Sequence, residues 1–304
     1  MLKEKLYTSK LENFIGQNLP KIDLAKKQKT IKKSVSFQGI GLHTGKKVSM
    51  TVEPAPFDTG YVFKVTDTSK KINEIDASYT NVKSTNLCTL LADSKGNQIS
   101  TVEHVLSALY GLEIDNAFIK LDSIEIPICD GSSKEFVKAF DKVGYKEQPN
   151  FKKYVRILKK VEIKEGNKTV RVSPFDQTLI TSEIDFEHKS IGKQSISLLL
   201  NPEIYRSQIS SARTFGFLDQ VEIMRKQGLA LGGSLENAIV LDDVGVINSD
   251  GLRFSDEFVR HKVLDFVGDI SLARFKILGS FFTSASGHKM NAKLLEKIFE
   301  SDSN

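Results

Sequence analysis

The chain has 304 residues, 40% hydrophobic and 27% charged, close to a soluble globular average, which excludes global disorder. Its length suits two domains or one large one with a sizeable core, and its best apolar runs, 198–200 and 238–241, are far too short to span a membrane as a helix. The net charge of +5 sits on a leading arm: residues 1–33 hold nine of the 43 basic and three of the 38 acidic residues, leaving 34 against 35 in a neutral body with no Trp, a composition unlike a nucleic-acid-binding surface.

Residues 1–30 are polar and lysine-rich, with weak helical periodicity over 6–14 that Pro20 ends. Such an arm reads as solvated; attraction to anionic lipid, and so peripheral membrane contact, stays open. From Ser34 apolar and polar residues alternate. Val35 and Phe37, then Val48, Met50 and Val52, read as strands around the turn Gly39-Ile40-Gly41-Leu42-His43-Thr44-Gly45. Residues 61–65 read as another strand. Over 101–112, Val102, Val105, Leu106, Leu109 and Leu112 recur at helical spacing, and Gly111 marks the C-terminal end. A strand at 117–121 precedes a helix at 132–143, with Ser132 as N-cap and Glu135 completing a capping box.

The polar stretch 146–152, with Pro149, is the best domain boundary. Beyond it the rhythm recurs. Strands are expected at 155–163, 169–173, 179–186 and 195–200, then a helix at 217–227, glycines within 229–233 and a strand at 238–241. A helix at 258–273 has an apolar face of Val259, Val263, Leu264, Phe266 and Val267, and a strand at 275–282 and a helix at 291–299 close the chain. Strands grouped before helices favour an α+β fold over a doubly wound sheet. The expected division is a basic extension over 1–33, an N-terminal α+β domain over 34–148 and a C-terminal one over 149–304. No clear residue-level repeat relates the halves.

Three features could carry chemistry. His261 and Asp265 are four apart on a helix, so both side chains share a face about 5–6 Å apart and could hold one cation. Glu103-His104 lies near the start of another helix; His104 would complete a two-histidine, one-carboxylate set of the kind that holds catalytic zinc with a position left for water. His288, in Ser286-Gly287-His288 after a strand, reads as a mobile, Gly-flanked general acid. Asp269 lies one helical turn beyond Asp265 on the same face and could keep such a histidine protonated. Each feature alone also fits an ordinary role: a surface His–Asp pair, a glutamate stabilising a helix dipole, a loop histidine.

Longer motifs decide more. Ser100-Thr101-Val102-Glu103-His104-Val105-Leu106-Ser107-Ala108-Leu109-Tyr110-Gly111 continues, from Glu125, with Glu-Ile-Pro-Ile-Cys-Asp-Gly-Ser-Ser. Then come Ser211-Ala212-Arg213-Thr214-Phe215-Gly216-Phe217, Leu231-Gly232-Gly233-Ser234, Asp250-Gly251-Leu252-Arg253-Phe254 and Asp256-Glu257-Phe258-Val259-Arg260-His261-Lys262. With the turn at 39–45 and Pro54-Ala55-Pro56, the stretch 34–297 resembles the UDP-3-O-acyl-N-acetylglucosamine deacetylases, the zinc amidases of lipid A synthesis. The resemblance implies two similar α+β domains, each a β-sheet layer with two helices, with the helices packed between the two sheets. It implies one Zn2+ per chain on His104, His261 and Asp265; the same donor types accept Fe2+. Glu103 matches the general base, His288 the general acid, Asp269 the carboxylate orienting that histidine, and Thr214 the hydroxyl near the developing oxyanion. Lys262 and Lys168 match basic residues near the nucleotide end, and Phe215 and Phe217 match aromatics lining the substrate site.

The implied reaction is hydrolysis of the N-acetyl group of UDP-3-O-((3R)-3-hydroxyacyl)-N-acetylglucosamine, the committed step of lipid A biosynthesis in Gram-negative bacteria. The acyl chain calls for an apolar groove. The family suggests a monomer. The first 30 or so residues precede the family's usual start, so the arm inherits no role. Cys88 matches a family cysteine near the site but is not among the three ligands. His43 lies in a matching motif and reads as structural or substrate-adjacent, while Cys129 and His188 carry no expected role. Two cysteines exclude a disulfide scaffold, and the charged Met1-Leu2-Lys3-Glu4-Lys5 is followed by no apolar segment, so the expected address is the reducing cytoplasm. The rival readings are a zinc hydrolase of another acylated sugar nucleotide or of a peptide, the latter weakened by the lack of H-E-x-x-H, and a non-catalytic module that binds through residues 1–33.

Overall fold

The computed structural model describes residues 23–66 and 69–300. The weak helical periodicity over 6–14 and most of the basic arm lie outside the described residues.

The N-terminal half opens with strands β1 (Lys27–Ile31), β2 (Val35–Ile40), β3 (Lys47–Pro54), β4 (Tyr61–Thr66) and β5 (Ile72–Asp76). Short strands β6 (Val82–Ser84), β7 (Leu90–Ala92) and β8 (Gln98–Ile99) form a small sheet of their own. Helix α1 (Glu103–Gly111), strand β9 (Ala117–Leu121) and helix α2 (Lys134–Val143) complete this half. Strands β10 (Tyr145–Phe151) and β11 (Tyr154–Arg156) lead into β12 (Val161–Glu165), β13 (Lys168–Ser173), β14 (Thr178–Asp185) and β15 (Lys193–Leu199). After a helical turn at 202–209 come β16 (Phe215–Phe217), α3 (Leu218–Lys226), β17 (Ile239–Leu241), α4 (Glu257–Ile270), β18 (Lys276–Ser284) and α5 (His288–Glu300).

The two main sheets share one topology. Their orders are β2-β3-β9-β4-β5 and β12-β13-β18-β14-β15, and β11 lies off that path, paired with the first residues of the central strand β18. In each, two hairpins come first along the chain and the last strand lies between them. It runs antiparallel to one hairpin and parallel to the other, with Phe63 opposite Ile119 and Ile180 opposite Phe281. Parallel neighbours need a long crossover. In the first half it runs through β6–β8 and α1, and in the second through β16, α3, β17 and α4. The repeat that residue identities hide is therefore plain in the strand order, and the α+β expectation holds. One apolar core joins residues of both sheets to α1, α2, α4 and α5, among them Phe63, Leu106, Phe136, Phe266, Phe281 and Leu294.

All nine residues of α1 are buried, and α1 packs on α4. A Cβ at Gly268 of α4 would lie 2.2 Å from the Glu103 carbonyl oxygen, so only glycine allows this approach. Gly268→Ala should force the helices apart and cost about 1–3 kcal/mol. Urea unfolding checks this, and an unchanged midpoint would refute the contact.

Four local expectations are corrected. The polar stretch at 146–152 is strand β10, paired with β1, so the boundary expected at 148/149 falls inside a strand, and residues 27–31 of the leading arm belong to the sheet. Pro149 is tolerated because the ladder shifts register between Lys27 and Lys29, opposite it. The expected strand at 155–163 is two, β11 and β12, separated by an exposed turn at Leu158. The capping box at α2 does not form. Ser132 Oγ donates to Asp130 (2.7 Å), Glu135 pairs with Lys138 (3.2 Å), and the N-cap is Ser133. His288 is not in a loop but is the first residue of α5, where Met290 and Asn291 N–H groups donate back to the Gly287 carbonyl.

Candidate metal centre and active site

His104 sits in the first turn of α1, and His261, Asp265 and Asp269 follow one another at four-residue spacing on α4. Because α1 crosses α4 at Gly268, His104 meets the other two. One potential ligand atom from each of His104, His261 and Asp265 lies within 4.8 Å of the other two, and all three residues are buried. Asp265 Oδ1 is 3.2 Å from His261 Nε2 and 3.7 Å from His104 Nε2. Donors on a tetrahedral ion at 2.0–2.2 Å stand roughly 3.3–3.6 Å apart, so the triad is spaced for one cation. His261 Nδ1 donates to the Ala212 carbonyl (3.0 Å), which turns the Nε2 lone pair towards the triad. His104 Nδ1 is buried with no hydrogen-bond partner among the described residues. Burial, and then the neighbouring His261, push His104 down to about 3, so its imidazole is neutral and fit to ligate. Burial opposes ionisation of Asp265, but His261 and Lys262 (Nζ to Oδ2, 3.1 Å) hold it well below the usual range. The donor set fits a divalent cation such as zinc.

Beside the triad stands a second pair. Glu103 Oε1 lies 3.7 Å from His288 Nε2, and His288 Nδ1 bonds Asp269 Oδ2 at 2.8 Å. Burial pushes the Glu103 carboxyl up to about 7 against the pull of His288. Burial would lower His288, but Asp269 and then Glu103 outweigh it and raise the imidazole to about 10. Between these values Glu103 is ionised and His288 carries its proton, as a base and an acid working together require.

Triad and pair open into one cavity of about 380 Å3, which Lys168, Lys262, Lys289, Thr214 and Phe215 also line. Phe217 lies instead on a neighbouring groove with Phe186 and His188. A second cavity, of about 310 Å3, shares Leu42, His43, Leu87, Thr214 and Phe215 with the first. It continues between Val221, Met224, Leu235 and Ile247, and its walls are mainly apolar. Both ring nitrogens of His43 are buried at the junction of the two, without partners among the described residues. Burial pushes the Cys88 thiol up to about 12, so it is an unreactive neighbour of Glu103.

The segment bearing Thr214 is anchored to α4. Arg213 donates through its backbone N–H and Nε to Glu257 Oε1 (3.0 and 2.9 Å), at the first turn of that helix. Both side chains are almost wholly buried. Glu125 does similar work for the turn at 39–45, accepting from the N–H groups of His43 and Thr44, both at 2.8 Å, and from Thr101 Oγ1.

Residues 28–300 match the family model described as UDP-3-O-acyl N-acetylglycosamine deacetylase (LpxC). The chain belongs to this family. It is 45% identical over 274 residues to the UDP-3-O-acyl-N-acetylglucosamine deacetylase of Pasteurella multocida and to that of Mannheimia succiniciproducens, and 44% identical over 274 residues to that of Pseudomonas entomophila. Each alignment with the first two covers 90% of both chains. Every site residue singled out from the sequence falls within the stretch that matches the deacetylase family. Sequence reasoning missed Thr89, Asn291 and the Ala212 carbonyl, which hold the side chains named above rather than lining the cavity.

Proposed function

We propose that this chain hydrolyses the N-acetyl group of UDP-3-O-((3R)-3-hydroxyacyl)-N-acetylglucosamine, releasing acetate and the free amine, as a step of lipid A biosynthesis. The observation that carries the proposal is one cavity holding the His104–His261–Asp265 triad, the Glu103–His288 pair and the mouth of an apolar cavity. An amide carbonyl is a poor electrophile and an amine a poor leaving group, so activation and proton transfer are both needed. A cation bound by the triad, which we assign as zinc with Fe2+ compatible, supplies Lewis-acid polarisation of the carbonyl and a more acidic water. Glu103 takes the proton of the attacking water. His288, held protonated by Asp269, faces the developing oxyanion and then protonates the nitrogen as the C–N bond breaks. Thr214 adds a hydroxyl on the same wall. Lys168 and Lys262 suit the diphosphate, Phe215 packs beside the sugar, and the 310 Å3 cavity takes the acyl chain.

Among the described residues no helix is long and apolar enough to cross a membrane. We place the reaction in the cytoplasm, in a chain active as a monomer, since all the groups invoked come from one polypeptide.

Acetate release from the acylated and the unacylated UDP-sugar, with and without a chelator, tests the proposal. Release from the acylated substrate alone, abolished by the chelator, is expected. Equal rates on both substrates, or indifference to metal removal, would refute it.

The pH profile offers a second check. The His288 proton is lost as pH rises through about 10, so activity should fall on that side. Asp269→Asn removes the negative partner that raises this histidine, so the alkaline limb should move to lower pH. A limb that stays in place would reject His288 as the acid.

A further inference from the structure

Thr89 lies just before β7 and is 2% exposed. It lines neither cavity of the site. Its two donors nevertheless point at the two proton-handling centres. The backbone N–H donates to Glu103 Oε2 at 3.2 Å, and the hydroxyl donates to Asp269 Oδ1 at 2.7 Å.

We propose that Thr89 is a positioning residue that fixes the base and the His288–Asp269 pair relative to each other from a single point. This rests on the deacetylase reading. Asp269 is buried and accepts three hydrogen bonds over its two oxygens, Thr89 on Oδ1 and both His288 Nδ1 and Asn291 Nδ2 on Oδ2, the latter two at 2.8 Å. With donors on both oxygens the carboxylate cannot rotate without leaving a buried charge short of a partner, a costly state. Its Oδ2 therefore stays aimed at His288. Glu103 is held by the same residue: Oε2 is occupied by the Thr89 N–H, and Oε1 is left facing His288 Nε2 at 3.7 Å. Thr89 in turn is set by β7, whose Leu91 is fully buried and pairs with Val82 and Ile99. The small sheet β6–β8 thus serves the site without reaching the cavity through Thr89.

Thr89→Val keeps the backbone N–H and nearly the shape, and removes only the hydroxyl. In the full-length, metal-loaded chain, kcat for acetate release should fall roughly 10–100-fold, the usual loss when an outer hydrogen-bond partner is removed. KM should stay within about twofold, because Thr89 itself lines neither cavity and the valine variant keeps its N–H bond to Glu103, and metal content should not change. Thr89→Ser restores the donor and should recover most of kcat. In an Asp269→Asn background, Thr89→Val should add less than about twofold, because the two act through one bond. Thr89→Ala supplies the same readout should the valine chain not fold. A wild-type kcat in the valine variant, a serine variant as slow as the valine one, fully multiplicative losses in the double variant, or a kcat loss matched by loss of metal would each overturn the role. A wild-type chain that releases no acetate would remove the deacetylase reading and this role together.

Discussion

Replacing Glu103 with glutamine is expected to lower kcat for acetate release by roughly 10²–10⁴-fold while leaving metal content intact. That loss corresponds to about 3–5.5 kcal/mol of barrier. The variant keeps the volume of the side chain and its place beneath the Thr89 N–H, so the α1–α4 seam should survive. What it removes is the carboxylate that accepts the proton of water. Among the described residues the other carboxylates at the cavity are committed: Asp265 belongs to the triad, Glu165 pairs with Lys293, and Asp269, behind the wall, has both oxygens engaged. Steady-state kinetics with metal analysis of the same sample decides the matter. Full turnover in the glutamine variant would remove Glu103 as the base.

His261→Ala should have the larger effect on metal. Two donors remain, and the surviving His104–Asp265 pair cannot hold a cation with the grip of three. Bound metal should drop from about one per chain towards none after dialysis, with activity falling in parallel. The contrast with Glu103→Gln is the informative part, since one variant separates activity from metal and the other loses both. Stoichiometric metal in the alanine variant would reject His261 as a ligand.

Much of this was legible in the residues. The four-residue spacing of His261, Asp265 and Asp269 fixes a shared helix face wherever the helix packs, because it depends only on helical geometry. The apolar periodicity of α1 and the alternation in β3 likewise survive any tertiary context. The meeting of His104 with His261 depends on two helices 157 positions apart closing at Gly268, and no local pattern encodes that distance; only the family resemblance supplied it. Strands β6, β7 and β8 have two or three residues each, too few to show a period, so no pattern marks Thr89. The start of α5 is hidden in the sequence because Ser286-Gly287 reads as loop, although the Gly287 carbonyl accepts the first bonds of that helix. In β10, Pro149 argued for a break that a register shift absorbs.

The glycine at 268 has one more consequence. The proton acceptor stands on one side of the interhelical seam and two of the three candidate ligands stand on the other, so the packing of α1 on α4 that helps to join the two halves also assembles the chemistry. Gentle denaturation should silence the protein as soon as the halves begin to part, while the secondary structure of each is still intact.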